Sequence, residues 1–156
     1  MLHRVDFSLD IWRWLFQPIY KRLEIGTLAS SDSVNTVLPR MLALLRGEPS
    51  FILLLNCDDT DVTKITGHCL YQLNKLDEHR VQAFCEQLYT DSGHDTEFTK
   101  ACISYAEVEL SKVYPITEIT FLTDESKYRA FKKKYEFQVR KVLMFKEIKV
   151  QDSVLN

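Results

Sequence analysis

The strongest constraint on this chain lies between residues 51 and 90, where three strand-like segments follow one another with little between them. FILLLNC, at 51–57, is short and apolar and is closed by the turn-forming Asp58 and Asp59. KITGHCLYQLNKL alternates, with Ile65, Cys69, Tyr71 and Leu73 at odd positions. LDEH marks a turn. RVQAFCEQLYT then alternates again: Val81, Ala83, Cys85 and, on the same count, Gln87 share one side, and Phe84, Glu86 and Leu88 the other. A side-chain period of two with turn residues at the joints predicts an antiparallel meander.

The flanking segments read as helices. Ser8 is placed as the N-cap of LDIWRWLFQPIYKRL, where Ile11, Trp12, Leu15, Phe16, Ile19 and Leu23 recur at helical spacing. Pro18 lies inside this pattern and predicts a kink or an end. Trp12 and Trp14 cannot easily share one core-facing side, so one is expected to be exposed for a partner unless the kink lets both pack. SSDSVNTVLPRMLALLRGEP predicts a second helix, capped near Ser31 or Asp32, with Val34, Val37, Leu38, Met41, Leu42 and Leu45 as its apolar face. Gly47 is its stop, and Pro49 forbids continuation. A third helix is expected over 96–113, capped by Thr96. There Phe98, Ala101, Cys102, Tyr105, Val108 and the row Ile103, Ala106, Leu110, Val113 make the broad apolar surface of a helix laid on a sheet. Pro115 ends it. ITEITFLT is a strand, ESKYRAFKKKY a short helix, FQVRKVLMFKEIKV one or two closing strands and QDSVLN a loose tail. The order is that of a mixed α/β protein.

Composition excludes several function classes. At 156 residues the chain is long enough for one domain with a real core. A net charge of −2 gives no global basic field to draw in nucleic acid. The run FILLL is far too short to span a membrane, and MLHRVDFSLDIWRWLF carries acids and lacks the small-residue cleavage site of a signal peptide. Cys57, Cys69, Cys85 and Cys102 form no CxxC pair and have no metal spacing with His3, His68, His79 or His94. No metal site is expected. The cysteines read as reduced core thiols of a cytoplasmic protein, with Cys69 and Cys85, on the two arms of a hairpin, the one pair open to bridging. Lys127, Arg129, Lys132, Lys133, Lys134, Arg140, Lys141, Lys146 and Lys149 crowd the last third. No aromatic residues interleave with them for stacking, which favours a solvated face over a nucleic-acid or partner surface.

The order of elements, with particular residues in it, resembles the GNAT N-acetyltransferase superfamily, the acyl-CoA N-acyltransferase fold. The stretch from ITEITFLT to FKEI is similar to the family's strand, short helix, "Ala-x-x-Phe-Tyr-x-x-x-Gly-Phe" ending and final strand. Here that ending reads Tyr128, Arg129, Ala130, Phe131, Lys132, Lys133, Lys134, Tyr135, Glu136, Phe137. Gly67 sits where the family writes valine–glycine on its third strand, and FCEQLYTD resembles the strand that ends leucine–tyrosine–valine–aspartate–proline. The resemblance divides the chain into an N-terminal helical extension (1–22), a GNAT-like domain (23–150) and a tail (151–156). It implies a mixed, mostly antiparallel sheet packed by helices, with an extra N-terminal helix. That Trp-rich helix followed by LRGEPSFILLL is similar to GNAT-like proteins of tailed bacteriophages.

The resemblance also directs attention to YTDSGHDTEFTK, where the strand hands over to the helix. In active members this loop reads Arg/Gln-x-x-Gly-x-Gly/Ala, so that backbone amides at the helix N-terminus can hold the CoA pyrophosphate. Here the glycine positions fall on Thr96, Phe98 and Lys100 or their neighbours, the arginine position falls on Asp95, and Gly93 comes early. Asp95 and Glu97 use up the positive potential that an anion needs. The first expectation is therefore a degenerate acyl-CoA site that holds no cofactor tightly. Such a protein acts on a protein partner or a second copy of itself, with Trp12, Trp14, Phe16 and Tyr20 as the docking element. By resemblance its setting is a bacteriophage virion or assembly, in the host cytoplasm or the particle. The alternative is an active acetyl-CoA-dependent N-acetyltransferase with a divergent loop. In that case the implied cofactor contacts are Leu88, Thr90, Gly93, His94 and Thr96. Glu86 is then the general base or merely solvent-facing; the family's tyrosine position is Lys132, so the acid is Tyr128 or Tyr135, with Tyr128 preferred because Tyr135 falls at the core position usually held by leucine.

Overall fold

The computed structural model of the chain is described over residues 1–25, 33–92, 95–121 and 125–137. It divides into two compact units, Met1–Leu122 and Thr123–Asn156. The first contains one five-stranded sheet in the order β1-β2-β3-β4-β5. The strands are β1 (Leu2–Arg4), β2 (Phe51–Cys57), β3 (Ile65–Asp77), β4 (Arg80–Thr90) and β5 (Ile116–Phe121). Neighbours from β1 to β4 are antiparallel, and β5 runs parallel to β4. The fold is a mixed α/β sheet packed by helices, as expected. The meander is β2–β3–β4, while β1 is an edge strand that three unpatterned residues give no sign of. It is anchored by the terminal amine, which donates to the Cys57 carbonyl at 2.7 Å.

Helix breaks follow proline and glycine chemistry. The first helical stretch is two helices, α1 (Asp10–Trp14) and α2 (Phe16–Ile25), with the break at Leu15 rather than at Pro18. A proline inside one continuous helix would lack its N–H and clash with the carbonyl four residues back. Restarting at Phe16 places Pro18 in a first turn, where N–H groups have no intrahelical partner anyway. α3 (Ser33–Leu45) ends at Gly47, which adopts φ +67°. The amides of Gly47 and Glu48 then reach back to the carbonyls of Leu44 and Ala43 at 3.1 and 3.0 Å.

Both faces of the sheet are covered. On one side Leu53, Leu55, Cys57 and Leu70 pack with Trp12, Leu15, Ile19, Leu23, Val37, Met41 and Leu44 of α1–α3. On the other, Ile52, Leu54, Cys69, Tyr71, Ala83 and Cys85 pack with Phe98, Cys102, Ala106 and Leu110. The latter belong to α4 (Thr96–Ser104) and its continuation, a π turn at Tyr105–Glu109 and a 3-10 turn at Leu110–Lys112. Gly67 lets α4 close down: a Cβ there would meet the Tyr89 carbonyl oxygen at 3.1 Å and the Phe98 ring at 3.2 Å.

The pairing of β3 with β4 slips by one residue near its middle. Tyr71 pairs with Cys85 but Leu70 pairs with Gln87, so Glu86 is a bulge in β4. The bulge corrects the simple alternation. Leu88, not Gln87, joins the α4 side, and Gln87 turns to α2, where its amide donates to the Leu23 carbonyl at 3.4 Å.

In the second unit, α5 (Glu125–Lys134) ends in an aromatic cluster, Phe131 against Tyr135 and Phe137 at ring separations of 5.3 and 5.6 Å. Glu136 adopts φ 60°, in the place of the motif's glycine. The expected closing strands and tail, and the cap at Ser31 or Asp32, lie outside the described residues. A side chain in the left-handed region is strained, and glycine is not. Replacing Glu136 with Gly is therefore expected to stabilise by up to about 1 kcal/mol, read as a higher denaturation midpoint at unchanged slope.

Candidate functional site

Polar side chains gather at the C-terminal end of β4 and the start of α4. Asp95 is the N-cap of α4, with extended backbone and its Oδ1 accepting from the Phe98 amide at 2.9 Å. Asn56 Nδ2 reaches its other oxygen at 3.4 Å. The cap is thus Asp95, one residue ahead of Thr96, because the aspartate carboxylate reaches the third amide of the helix. Glu97 adds a second acid in the first turn.

On the opposite face of the sheet, where alternation already places it, Glu86 faces α3. Arg40 Nε and Nη2 donate to its two oxygens, both at 2.8 Å. The side chains are 32% and 16% exposed, and the guanidinium lies 4.6 Å from the Phe51 ring centre. This fork-to-fork pair is the strong form of a charged hydrogen bond. Glu86 is neither bare in a cleft nor solvent-facing.

A second cluster lies further along the same strand. His68 is fully buried, and its Nε2 pairs with Gln87 Oε1 at 2.8 Å. Because the Gln87 amide nitrogen is committed to Leu23, its oxygen accepts, so His68 carries its proton on Nε2. Burial pushes His68 down from 6.5 to about 4, so it is neutral. Its Nδ1 is a buried lone pair with no partner. The His68 ring stacks on Tyr89 at 5.9 Å, and Arg22 Cζ lies 5.2 Å from the centre of the same ring. Arg22 Nη1 donates to Asp91, while Arg22 Nε and Nη2 are buried without partners. Each buried donor left unpaired costs roughly 1–3 kcal/mol.

Other candidates are dispersed. Leu88 packs in the α4 cluster and Thr90 pairs with Gly67, whereas Gly93 and His94 lie outside the described residues. Thr96 begins α4. Tyr128 belongs to α5 in the second unit, and its side chain is outside the described set. Of the proposed docking residues, Trp12 is in the core at 6% exposure, Phe16 and Tyr20 pack partly against it, and Trp14 stands out at 83%. The four cysteines are buried and unbridged, with Cys69 and Cys85 sulfurs 3.8 Å apart. Burial raises the thiols of Cys57, Cys85 and Cys102, which suppresses thiolate chemistry. Among the described residues no acidic, cysteine and histidine side chains converge as a metal site, and no helix is long and apolar enough to cross a membrane. Arg22, Arg40, Gln87 and Asp91 escape a reading for motifs. Arg22 alone leaves a signal, since it falls on the buried helical face with Ile19 and Leu23.

No protein-family model matches the sequence, and no curated protein matches it. Solved structures do. AAC(6')-Iy, in complex with the bisubstrate analogue CoA-S-monomethyl-acetylneamine, superposes with a TM-score of 0.66 at 11% identity, over 96% of this chain and 98% of that one. Glucosamine-6-phosphate N-acetyltransferase from Arabidopsis thaliana gives 0.63 at 12%, over 96% and 98%. A predicted acetyltransferase with acetyl-CoA from Clostridium acetobutylicum gives 0.63 at 15%, over 94% and 95%. The chain has the GNAT acetyltransferase fold.

The burial of the two tryptophans and of His68 sets measurable expectations. Trp12→Ala is expected to cost about 3–5 kcal/mol as a core truncation, and Trp14→Ala less than about 0.5 kcal/mol, both measured by denaturant unfolding. His68 binds a proton in the unfolded chain below pH 6.5 and in the folded chain only near 4. Its contribution to stability is therefore complete above pH 6.5 and is lost as pH falls towards 4, by up to about 3 kcal/mol. His68→Gln should flatten the slope of stability against pH across that window.

Proposed function

We propose that this GNAT-fold protein has given up the usual grip on CoA pyrophosphate and works through protein contacts. The carrying observation is the Asp95 carboxylate on the start of α4. A helix N-terminus holds phosphate with its free amides and a partial positive charge of roughly half a unit. Here the Phe98 amide is engaged, the charge is offset by a full negative one, and Glu97 adds another. The Phe98 ring is buried against Gly67 and fills the space a close backbone approach would need. These residues do not fit a pyrophosphate. A surface for protein contact is offered by Trp14 and Ile11, exposed one turn apart on α1. Tryptophan is among the residues that contribute most per side chain at interfaces. A bacteriophage virion or assembly component is the setting that the sequence resemblance suggests for such a protein.

An acetyl-CoA-dependent N-acetyltransferase is the second reading, and one observation favours it. The chain superposes over nearly its whole length on an acetyltransferase solved with acetyl-CoA and on another solved with a CoA bisubstrate analogue. Glu86 acts as a base in that reading only when released from Arg40.

Calorimetric titration with acetyl-CoA separates the two. The native chain is expected to show no saturable heat. Asp95→Ser, which keeps a capping oxygen and removes the charge, tests whether the carboxylate is what excludes the cofactor. Micromolar binding by the native chain overturns the first reading.

A further inference from the structure

Two arginine–carboxylate pairs lie on the same sheet face, and they are built differently. Arg40 spends its Nε and Nη2 edge on both oxygens of Glu86. Arg22, deeper, touches Asp91 through Nη1 alone, and its Nε and Nη2 are sealed from solvent without partners. The Arg22 side chain is 10% exposed and Asp91 is 52% exposed. An arginine buried only to hold Asp91 would present the same bidentate edge that Arg40 presents, since that edge matches a planar carboxylate. Here the better edge is kept free inside the protein.

The neighbouring group has spare capacity of the opposite kind. His68, with its proton fixed on Nε2 by Gln87, holds a bare Nδ1 acceptor. Both groups lie against one ring, Tyr89, with Arg22 at 5.2 Å and His68 at 5.9 Å. Buried polar atoms in native proteins are almost always paired, so three unpaired atoms around one ring call for a ligand with the complementary pattern.

We propose that Arg22, Tyr89 and His68 form a binding site for a small carboxylate carrying an amino or hydroxyl donor on the adjacent carbon. The carboxylate takes the Nε–Nη2 edge of Arg22, and the donor satisfies His68 Nδ1. Asp91, the more exposed partner of Arg22, complements an ammonium on the same ligand. The site needs no acyl-CoA and stands whichever reading of the cofactor junction is correct.

The test is a nitrogen-15 NMR titration of the full chain, following the Arg22 Nε–H and the His68 ring nitrogens. Glycine, glycolate, acetate and sodium chloride are compared at equal ionic strength. Saturable shifts at both residues are expected with glycine or glycolate, with acetate weaker by about tenfold for want of one hydrogen bond to a buried group. Arg22→Lys keeps the charge, loses the fork and should weaken binding about tenfold or more. The proposal is overturned by any of three results in the native chain: no saturable shift with glycine or glycolate, equal affinity for acetate, or the same shifts with chloride. Those results decide the matter even if Arg22→Lys fails to fold.

Discussion

Glu86 has no counterpart on β3, because Leu70 and Tyr71 are already taken by Gln87 and Cys85. A strand with a strict period of two cannot take in an extra residue without changing which face its later side chains occupy. Before the bulge, Val81, Ala83 and Cys85 lie on one side; after it, Leu88 keeps that side apolar against α4. Glu86 and Gln87 both turn the other way, followed by Tyr89. The α1–α3 face thereby receives a run of polar and aromatic groups where the earlier sheet offers leucines. Arg40, the Leu23 carbonyl and Arg22 meet them. A bulge also adds local twist and bend, and this one directly follows Cys85, which pairs with Phe121 of β5.

The energetic consequences differ between the two arginines. Arg40 gains a bidentate partner and a ring, which compensates much of its desolvation. Arg22 gains one bond and a ring, and leaves two donors dry. At roughly 1–3 kcal/mol per unpaired donor, that deficit equals the gain from burying one or two leucines. The cluster around Ile19 and Leu23 is large enough to carry it. A folded state holding such a deficit is stabilised by any ligand that supplies the missing partners, because binding to the native state alone shifts the folding equilibrium.

Much of the architecture is legible in the sequence because its causes are local. The meander follows from alternation and turn residues, the C-terminal stop of α3 from Gly47, and the division of the first helical stretch from Pro18. The break nevertheless precedes the proline, since a helix restarts so that the missing amide costs nothing. Pro39 sits inside α3, whose burial of Val37, Met41 and Leu44 outweighs one lost backbone bond. Leu38, Leu42 and Leu45 sit on the exposed side of the same helix. The helical period alone does not say which half of a wide apolar stripe meets the sheet. The bulge has no signature either, because Cys-Glu-Gln-Leu satisfies an alternating pattern in either register. The two arginine sites depend on contacts 46 and 69 residues apart in sequence, which no local period encodes.

On the proposed reading, the start of α4 shows how a fold can persist while a site changes. The free amides and positive end of a helix are a single resource. A capping carboxylate uses them at all times, contributing roughly 1 kcal/mol to the helix. An anionic ligand uses them only when bound, and the unliganded protein then bears the cost of leaving them bare. Asp95 takes the first course, and Asn56, on β2, places a donor on the second oxygen, tying the cap to the sheet. Phe98, whose amide the cap engages, fills the space over Gly67, so cap and packing hold the same turn in place. Opening this junction to a phosphate would, on that reading, require more than removing one charge. The ring that fixes α4 on the sheet would have to leave as well, at a cost in core packing of roughly 3–5 kcal/mol. On the proposed reading, that coupling between cap and core is what keeps the junction closed to an anion.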